Sequence, residues 1–369
     1  MYGHRAGLCL VPTPPRPPCG KCALMATKTV GILTGGGDCP GLNAVIRAAV
    51  RKGISHYDFR FRGIQKGWKG MMECLWEPLG HEEVSGILPK GGTILGTSRT
   101  NPYKTEDGGD IVVENIKRMK LDALIAIGGD DTLSVAHKLA VGGVPVVGVP
   151  KTIDNDISNT DFTFGFDTAV NIVTEAIDRI HTTAESHNRV MVVEVMGRHS
   201  GWIAVHAGIA GGADLILMPE HKMSIEDIVN TIKMRHERGK DFSIVVVAEG
   251  TNFDSSDYVV QESGTDEFGH VKLGGVGQLV SEVIEKETGF ETRVTVLGHL
   301  QRGGTPTAFD RVLGTRYGIA AIDLVQAEDW GKMVALQGNE IRAIPLEMAI
   351  GDLKMVGDDL YDIAKVFFG

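Results

Sequence analysis

Leu121-Asp122-Ala123-Leu124-Ile125-Ala126-Ile127-Gly128-Gly129-Asp130-Asp131-Thr132 carries the pattern from which the fold is read. Its first seven residues are apolar except for Asp122, and they end on two glycines and two aspartates. From Thr132 to Ala140 the apolar residues recur with helical spacing. A second apolar run, Val144–Val149, leads into Pro150-Lys151-Thr152-Ile153-Asp154-Asn155-Asp156. Strand, glycine turn, helix and strand form the repeating unit of a parallel sheet. Such strands are apolar throughout because helices cover both faces.

The unit recurs on either side. Val30–Leu33 reads as a strand, followed by Gly35-Gly36-Gly37-Asp38-Cys39-Pro40-Gly41 and a helix over Leu42–Lys52. Downstream, Asp167–Thr182 sets Val170, Val173, Ile177 and Ile180 on one helical face ahead of the strand Val190–Val195. Leu215–Met218, Ser243–Ala248 and Thr292–Leu297 read as further strands. The expected fold class is therefore α/β. Glycines cluster just past the strands, at 35–37, 128–129, 197, 250 and 303–304, each group beside Asp, Arg or Glu. In open α/β sheets, ligands bind beyond the carboxyl ends of the strands. Neither a Walker A loop nor a Rossmann fingerprint is present.

Composition narrows the function classes. A net charge of −10 argues against general nucleic-acid binding, whose phosphates reward a basic face. It leaves room for a small phosphorylated ligand held by a few local arginines. No apolar run reaches the roughly 20 residues of a membrane-spanning helix, so the chain reads as soluble and cytoplasmic. Cys9, Cys19 and Cys22 fall near the amino terminus, but no second ligand pair follows the Cys19–Cys22 pair at a zinc-site spacing. Residues 1–24 hold Pro12, Pro14, Pro15, Pro17 and Pro18 and read as an extended, disordered tail. Met25, just ahead of the first strand, is the expected natural start.

Three segments carry the chemistry. The loop Gly35–Gly41 offers backbone amides to an anion. In Gly128–Thr132, Asp130 can hold Mg²⁺ beside phosphate, or it and Asp131 can cap the helix that follows. In Pro150–Asp156, two carboxylates two residues apart would point the same way from an extended loop. One could deprotonate a hydroxyl while the other supports a metal or orients the base.

In that order, the three segments resemble those of the phosphofructokinase family. So do Gly96-Thr97-Ser98-Arg99, His187-Asn188-Arg189, Glu194-Val195-Met196-Gly197-Arg198, Ala248-Glu249-Gly250 and Leu297-Gly298-His299-Leu300-Gln301-Arg302-Gly303-Gly304. The similarity runs from Met25 to about Gln326. It implies two Rossmann-like, three-layer α/β/α lobes with mostly parallel sheets and interleaved chain segments. The donor-binding lobe would span 25–165 with a return segment of about 302–350; the sugar-phosphate lobe would span 166–301 with part of 351–369.

The resemblance also implies roles. Asp154 would take the proton from the 1-hydroxyl of fructose 6-phosphate, with Thr152 aligning the reacting groups and Arg198 balancing charge on the moving phosphoryl group. Asp130 would bind Mg²⁺, assisted by Asp156. Met196, Gly197, Glu249, His299 and Arg302 would hold the sugar phosphate. Arg189 and Arg293 would reach the 6-phosphate in a neighbouring subunit, which makes a homodimer or homotetramer with shared active sites the expected assembly. Gly37, Arg99, Asp131 and Lys151 would face the donor.

Asp131 and Lys151 bear on which donor that is. ATP-using members of the family usually carry glycine at both positions, whereas pyrophosphate-using members resemble this chain. An aspartate in place of glycine fills the room an α-phosphate needs and adds a like charge. Two unit charges about 4 Å apart repel by about 4 kcal/mol at an effective dielectric near 20, close to a thousandfold in affinity. Pyrophosphate is the expected donor, and because it is scarce in cells the reaction should run in both directions. ATP-dependent phosphofructokinase is the alternative. NAD and lipid kinases share the Gly-Gly-Asp turn but lack the Lys151–Asp156 run, and a non-catalytic subunit would be expected to lose Asp130 or Asp154.

Overall fold

The computed structural model describes residues 27–253 and 275–369. The proline-rich segment and its cysteines, with the expected start at Met25, lie outside the described residues. The chain opens with β1 (Thr29–Thr34), α1 (Leu42–Tyr57), β2 (Arg60–Ile64), α2 (Trp68–Glu73), β3 (Trp76–Leu79), α3 (Gly108–Arg118), β4 (Ala123–Gly128), α4 (Asp130–Val141) and β5 (Val146–Pro150). It continues through α5 (Phe166–His187), β6 (Val190–Val195), α6 (Trp202–Ala210), β7 (Leu215–Leu217), α7 (Ile225–Glu237), β8 (Ser243–Ala248), α8 (Val276–Thr288) and β9 (Thr292–Val296). Last come α9 (Ala308–Ala327), β10 (Lys332–Gln337), β11 (Glu340–Pro345) and α10 (Asp358–Lys365).

Two sheets result. One has seven strands in the order β11-β10-β5-β4-β1-β2-β3, and the other has four in the order β7-β8-β6-β9. The four-stranded sheet is parallel throughout. In the larger sheet only the two edge strands, β3 and β11, run antiparallel to their neighbours. The central strands β4, β5, β6 and β8 are buried along their whole length, as strands covered on both faces must be.

The α/β reading from the sequence holds, with differences at the ends and edges. α1 and α5 run one to two turns longer than their apolar patterns, and α4 starts at Asp130 rather than Thr132. β2, β3 and β11 had no apolar run to announce them, and the apolar run Met333–Leu336 of β10 was not read as a strand. β10 lies beside β5 and completes the first sheet although it follows the whole second sheet in sequence. α9 seats against α1 because Gly314 and Gly318 let the helices approach. A Cβ at Gly318 would sit 2.4 Å from the Val45 carbonyl oxygen. No described helix is long and apolar enough to cross a membrane.

Candidate active site

The glycine loops of both sheets meet around one cavity of about 380 Å³. Gly35 N donates to the Ile127 carbonyl (2.9 Å) and Lys151 N to that of Gly128 (3.0 Å), which ties the ends of β1, β4 and β5 together. Thr132 packs into the space that side chains at Gly35 and Gly128 would need. A Cβ at Gly128 would lie 2.3 Å from the Thr132 Cβ. Gly36, Gly37, Arg99, Asp131 and Lys151 line this end of the cavity. Lys151 is buried, and burial pulls its ammonium below the ordinary value. The Cys39 thiol behind the loop is pushed up to about 12 by burial, so it is no nucleophile at neutral pH.

Asp130 and Asp131 occupy the first turn of α4, and Gly129 rather than either aspartate is the N-cap. Neither aspartate occupies the cap position, and both lie where the helix dipole favours negative charge. Asp130 Oδ1 accepts a hydrogen bond from Gly351 N (3.3 Å).

The Thr152–Asp156 segment is not the extended loop anticipated from the sequence. Asn155 adopts a left-handed backbone (φ 52°), and its Oδ1 accepts from Thr163 N (3.0 Å). Asp154 N donates to Thr152 Oγ1 (3.1 Å). Asp154 and Asp156 both reach the cavity through this tight bend instead of through alternation along a strand. One Asp154 oxygen is buried without a hydrogen-bond partner. Burial, with the charges of Asp154 and Asp130 added, holds the Asp156 carboxyl well above the usual carboxylate range.

The second sheet supplies the opposite wall: Met196, Arg198, His199, Glu249, His299 and Arg302. Fully buried Gln301 accepts from Met196 N through Oε1 (3.2 Å), locking the end of β6 to the turn after β9. Glu249 N donates to the Val195 carbonyl (2.8 Å). Gly250 is required here, since a Cβ would lie 1.9 Å from the Arg198 carbonyl oxygen. Burial, then the Asp154 charge, pushes Glu249 up to about 7, against the pull of Arg198.

Most of the expected residues thus converge, with three exceptions. Gly197 does not line the cavity; its φ of 134° and its carbonyl, which accepts from Gly250 N (3.1 Å), shape the turn. Arg189 and Arg293 lie outside it, both paired with Glu291 (2.8 Å from Arg189). Conversely, His199, Gly351 and Leu353 line the cavity without having been singled out. His199 could have been inferred from its place beside Arg198, whereas Gly351 and Leu353 arrive from a segment with no motif. Arg99 also borders a second cavity of about 600 Å³, with Lys69, Met72, Glu73, Ser98, Thr100 and Ile111.

The acidic end suits a hard cation. Asp130, Asp154 and Asp156 offer oxygen donors, one of them unpartnered, and the repulsion felt by Asp156 is what a cation relieves. Among the described residues no group of three or more His, Cys, Asp or Glu is placed to hold a metal ion by itself. Mg²⁺ is commonly held by one or two carboxylates together with substrate phosphates.

A family model described as phosphofructokinase matches residues 29–325. The chain belongs to the phosphofructokinase family. This phosphofructokinase is 57% identical over 341 residues to the pyrophosphate–fructose 6-phosphate 1-phosphotransferase of Streptomyces coelicolor, covering 92% of this chain and 99% of that one. It is 50% identical, over the same shares, to the ATP-dependent 6-phosphofructokinase of Mycobacterium leprae. Its fold matches the T-state phosphofructokinase structure of Pichia pastoris with a TM-score of 0.78 at 31% identity, over 93% of this phosphofructokinase and 36% of that longer chain.

Proposed function

We propose that the chain transfers a phosphoryl group, reversibly, from pyrophosphate to the 1-hydroxyl of D-fructose 6-phosphate, giving fructose 1,6-bisphosphate and phosphate. The observation that carries the donor assignment is that Asp131 lines the same cavity as the buried Lys151. An extended nucleotide tail would meet that carboxylate, while a compact pyrophosphate uses the lysine. The names of the Streptomyces and Amycolatopsis relatives, at 57% and 56% identity, support this reading. The second cavity beside Arg99 and the Mycobacterium leprae relative favour ATP as the rival donor.

Phosphoryl transfer needs positioned groups and balanced charge more than covalent help. Asp154 accepts the proton of the 1-hydroxyl at its unpartnered oxygen, which frees the sugar oxygen to attack in line. Thr152, bonded to the Asp154 amide, aligns that carboxylate. Arg198 offsets charge on the moving phosphoryl group, since guanidinium gives paired, charge-assisted bonds. Glu249 accepts from sugar hydroxyls, and Met196, His299 and Arg302 fix the sugar phosphate. Asp130, with Asp156 beside it, would hold Mg²⁺, which when bound neutralises charge on the donor oxygens. Arg189 and Arg293 serve the site of a neighbouring copy in a homodimer or homotetramer. The reaction belongs to sugar metabolism in the cytoplasm.

The test compares pyrophosphate with ATP over a concentration series, with fructose 6-phosphate and Mg²⁺. The expected result is turnover with pyrophosphate at a kcat/KM well above that with ATP. A preference for ATP would overturn the donor assignment and leave the sugar kinase reading in place; silence with both would remove both.

A further inference from the structure

Residues 348–356 form a strap laid along the loop that follows Asp156, and Gly351 and Leu353 within it line the cavity. Asn159 Nδ2 donates to the Met348 carbonyl (2.6 Å) and Ser158 Oγ to that of Asp352 (2.6 Å). Leu353 forms a bridge with Ile157, and Lys354 N donates to the Asp156 carbonyl (2.9 Å). From the middle of the strap the Lys354 ammonium turns inward. It donates to the carbonyls of Thr160 (2.9 Å) and Asp161 (2.8 Å) and lies 5.1 Å from the centre of the Trp202 ring.

The strap also grips the other wall. The Lys354 carbonyl accepts from Trp202 Nε1 (2.8 Å). Two residues on, Val356 N donates to Glu220 Oε1 (3.1 Å), and the same carboxylate accepts from Gly201 N (2.9 Å). Gly201 and Trp202 open α6 after Arg198, His199 and Ser200, whereas Thr160 and Asp161 lie on the loop that follows Asp154. The direct bond between those loops, from Ser200 Oγ to the Asp154 carbonyl, is long at 3.3 Å. Lys354 supplies shorter ones to both.

We propose that Lys354 is a positioning residue: its ammonium clamps the loop after Asp154, its carbonyl clamps the start of α6 after Arg198, and together they set the spacing of those two groups. The proposal rests on Asp154 and Arg198 acting as base and charge-balancing group. An ammonium has three donors, enough for two carbonyls at once. A methionine of similar length has none, and leaves both carbonyls without that partner. A displacement of about 1 Å at a reacting centre can cost about a hundredfold in rate.

The experiment uses the full-length protein with fructose 6-phosphate, pyrophosphate and Mg²⁺. Lys354→Met is expected to lower kcat by about a hundredfold in both directions, the scale of a small misplacement. Dissociation constants for fructose 6-phosphate and pyrophosphate, from calorimetry, are expected to stay within about threefold, because the clamp touches neither substrate. Lys354→Arg keeps the charge and the donors and is expected to recover turnover to within about tenfold of wild type. Should Lys354→Met fail to fold, Trp202→Phe decides. It keeps the ring, removes the bond to the Lys354 carbonyl, and is expected to lower kcat by about tenfold, the scale of one lost hydrogen bond. An unchanged kcat, or a loss confined to the dissociation constants, overturns the positioning role while wild-type turnover keeps the proposed function standing. A wild type inactive with fructose 6-phosphate overturns both.

Discussion

The Lys151 ammonium lies 2.5 Å from the carbonyl oxygen of Gly37. The lysine expected to face the donor is therefore also a strut beneath the donor loop, whose Gly36 carbonyl is held in turn by Thr97 Oγ1 at 2.5 Å. Two of its three N–H donors remain for phosphate oxygens.

Lys151→Met removes strut and charge together. Hydrogen bonds to charged groups are worth about 1.5–3 kcal/mol, so KM for pyrophosphate should rise by about ten- to a hundredfold. KM for fructose 6-phosphate should move little, because the side chains proposed to hold the sugar phosphate are carried by the second sheet. Initial rates over a matrix of both substrates measure the two constants separately.

Asp131→Gly should admit the nucleotide. Removing a like charge about 4 Å from an α-phosphate is worth up to about 4 kcal/mol, so kcat/KM with ATP should rise by about 10²- to 10³-fold. A competition assay with both donors reads the switch. An unchanged preference would show that the donor is selected elsewhere, with the cavity beside Arg99 as the next place to test.

Glu249 gives the site a pH signature. Its carboxyl is pushed up to about 7 by burial and then by Asp154. As pH falls through 7 it gains a proton and accepts sugar hydroxyls less strongly, so KM for fructose 6-phosphate should climb between pH 8 and 6. Glu249→Gln should raise KM at pH 8 and flatten that climb, leaving only the titration of the substrate phosphate itself. The profile of KM against pH for the two proteins checks this.

Asp310 should govern stability against pH in the opposite sense from most acids. It is buried at the start of α9; Oδ2 accepts from Thr168 N (2.8 Å) and from its hydroxyl (2.5 Å), while Oδ1 has no partner. Burial pushes its pKa from 3.8 to about 6. A raised folded-state pKa favours folding fully below pH 3.8, and that contribution is lost as pH rises through about 6. A shift of about two units amounts to about 3 kcal/mol at pH 8. Asp310→Asn, which keeps an acceptor for Thr168, should therefore gain stability at pH 8 relative to pH 5. Urea unfolding at the two pH values measures the difference.

The parts of the fold visible in the sequence were those where burial imposes a pattern. β4, β5, β6 and β8 are covered on both faces and read as apolar runs. β2 and β3 keep exposed residues such as Arg60, Trp76 and Glu77, so no apolar run marks them. The site was legible where a strand end, a glycine and an acid coincide, as at Gly128–Asp131. It was illegible at Gly351, Leu353 and Lys354, which act through backbone groups and through a clamp from far along the chain. Gly197, which the resemblance places at the sugar phosphate, does not line the cavity, and its positive φ and its carbonyl shape the turn there.

β10 joins the seven-stranded sheet beside β5, at Lys332 opposite Val147 and Met333 opposite Gly148. Protein synthesis proceeds from the amino terminus, so β5 leaves the ribosome well before its neighbour exists. At about 5–20 residues per second, the wait for the stretch between them is roughly 10–40 s. The four-stranded sheet, built from one continuous stretch, can close during that interval. The larger sheet meanwhile carries an open parallel edge of the kind that invites pairing between nascent chains. The seven-stranded sheet is thus started first and finished last, and translation speed across residues 151–331 becomes a determinant of yield.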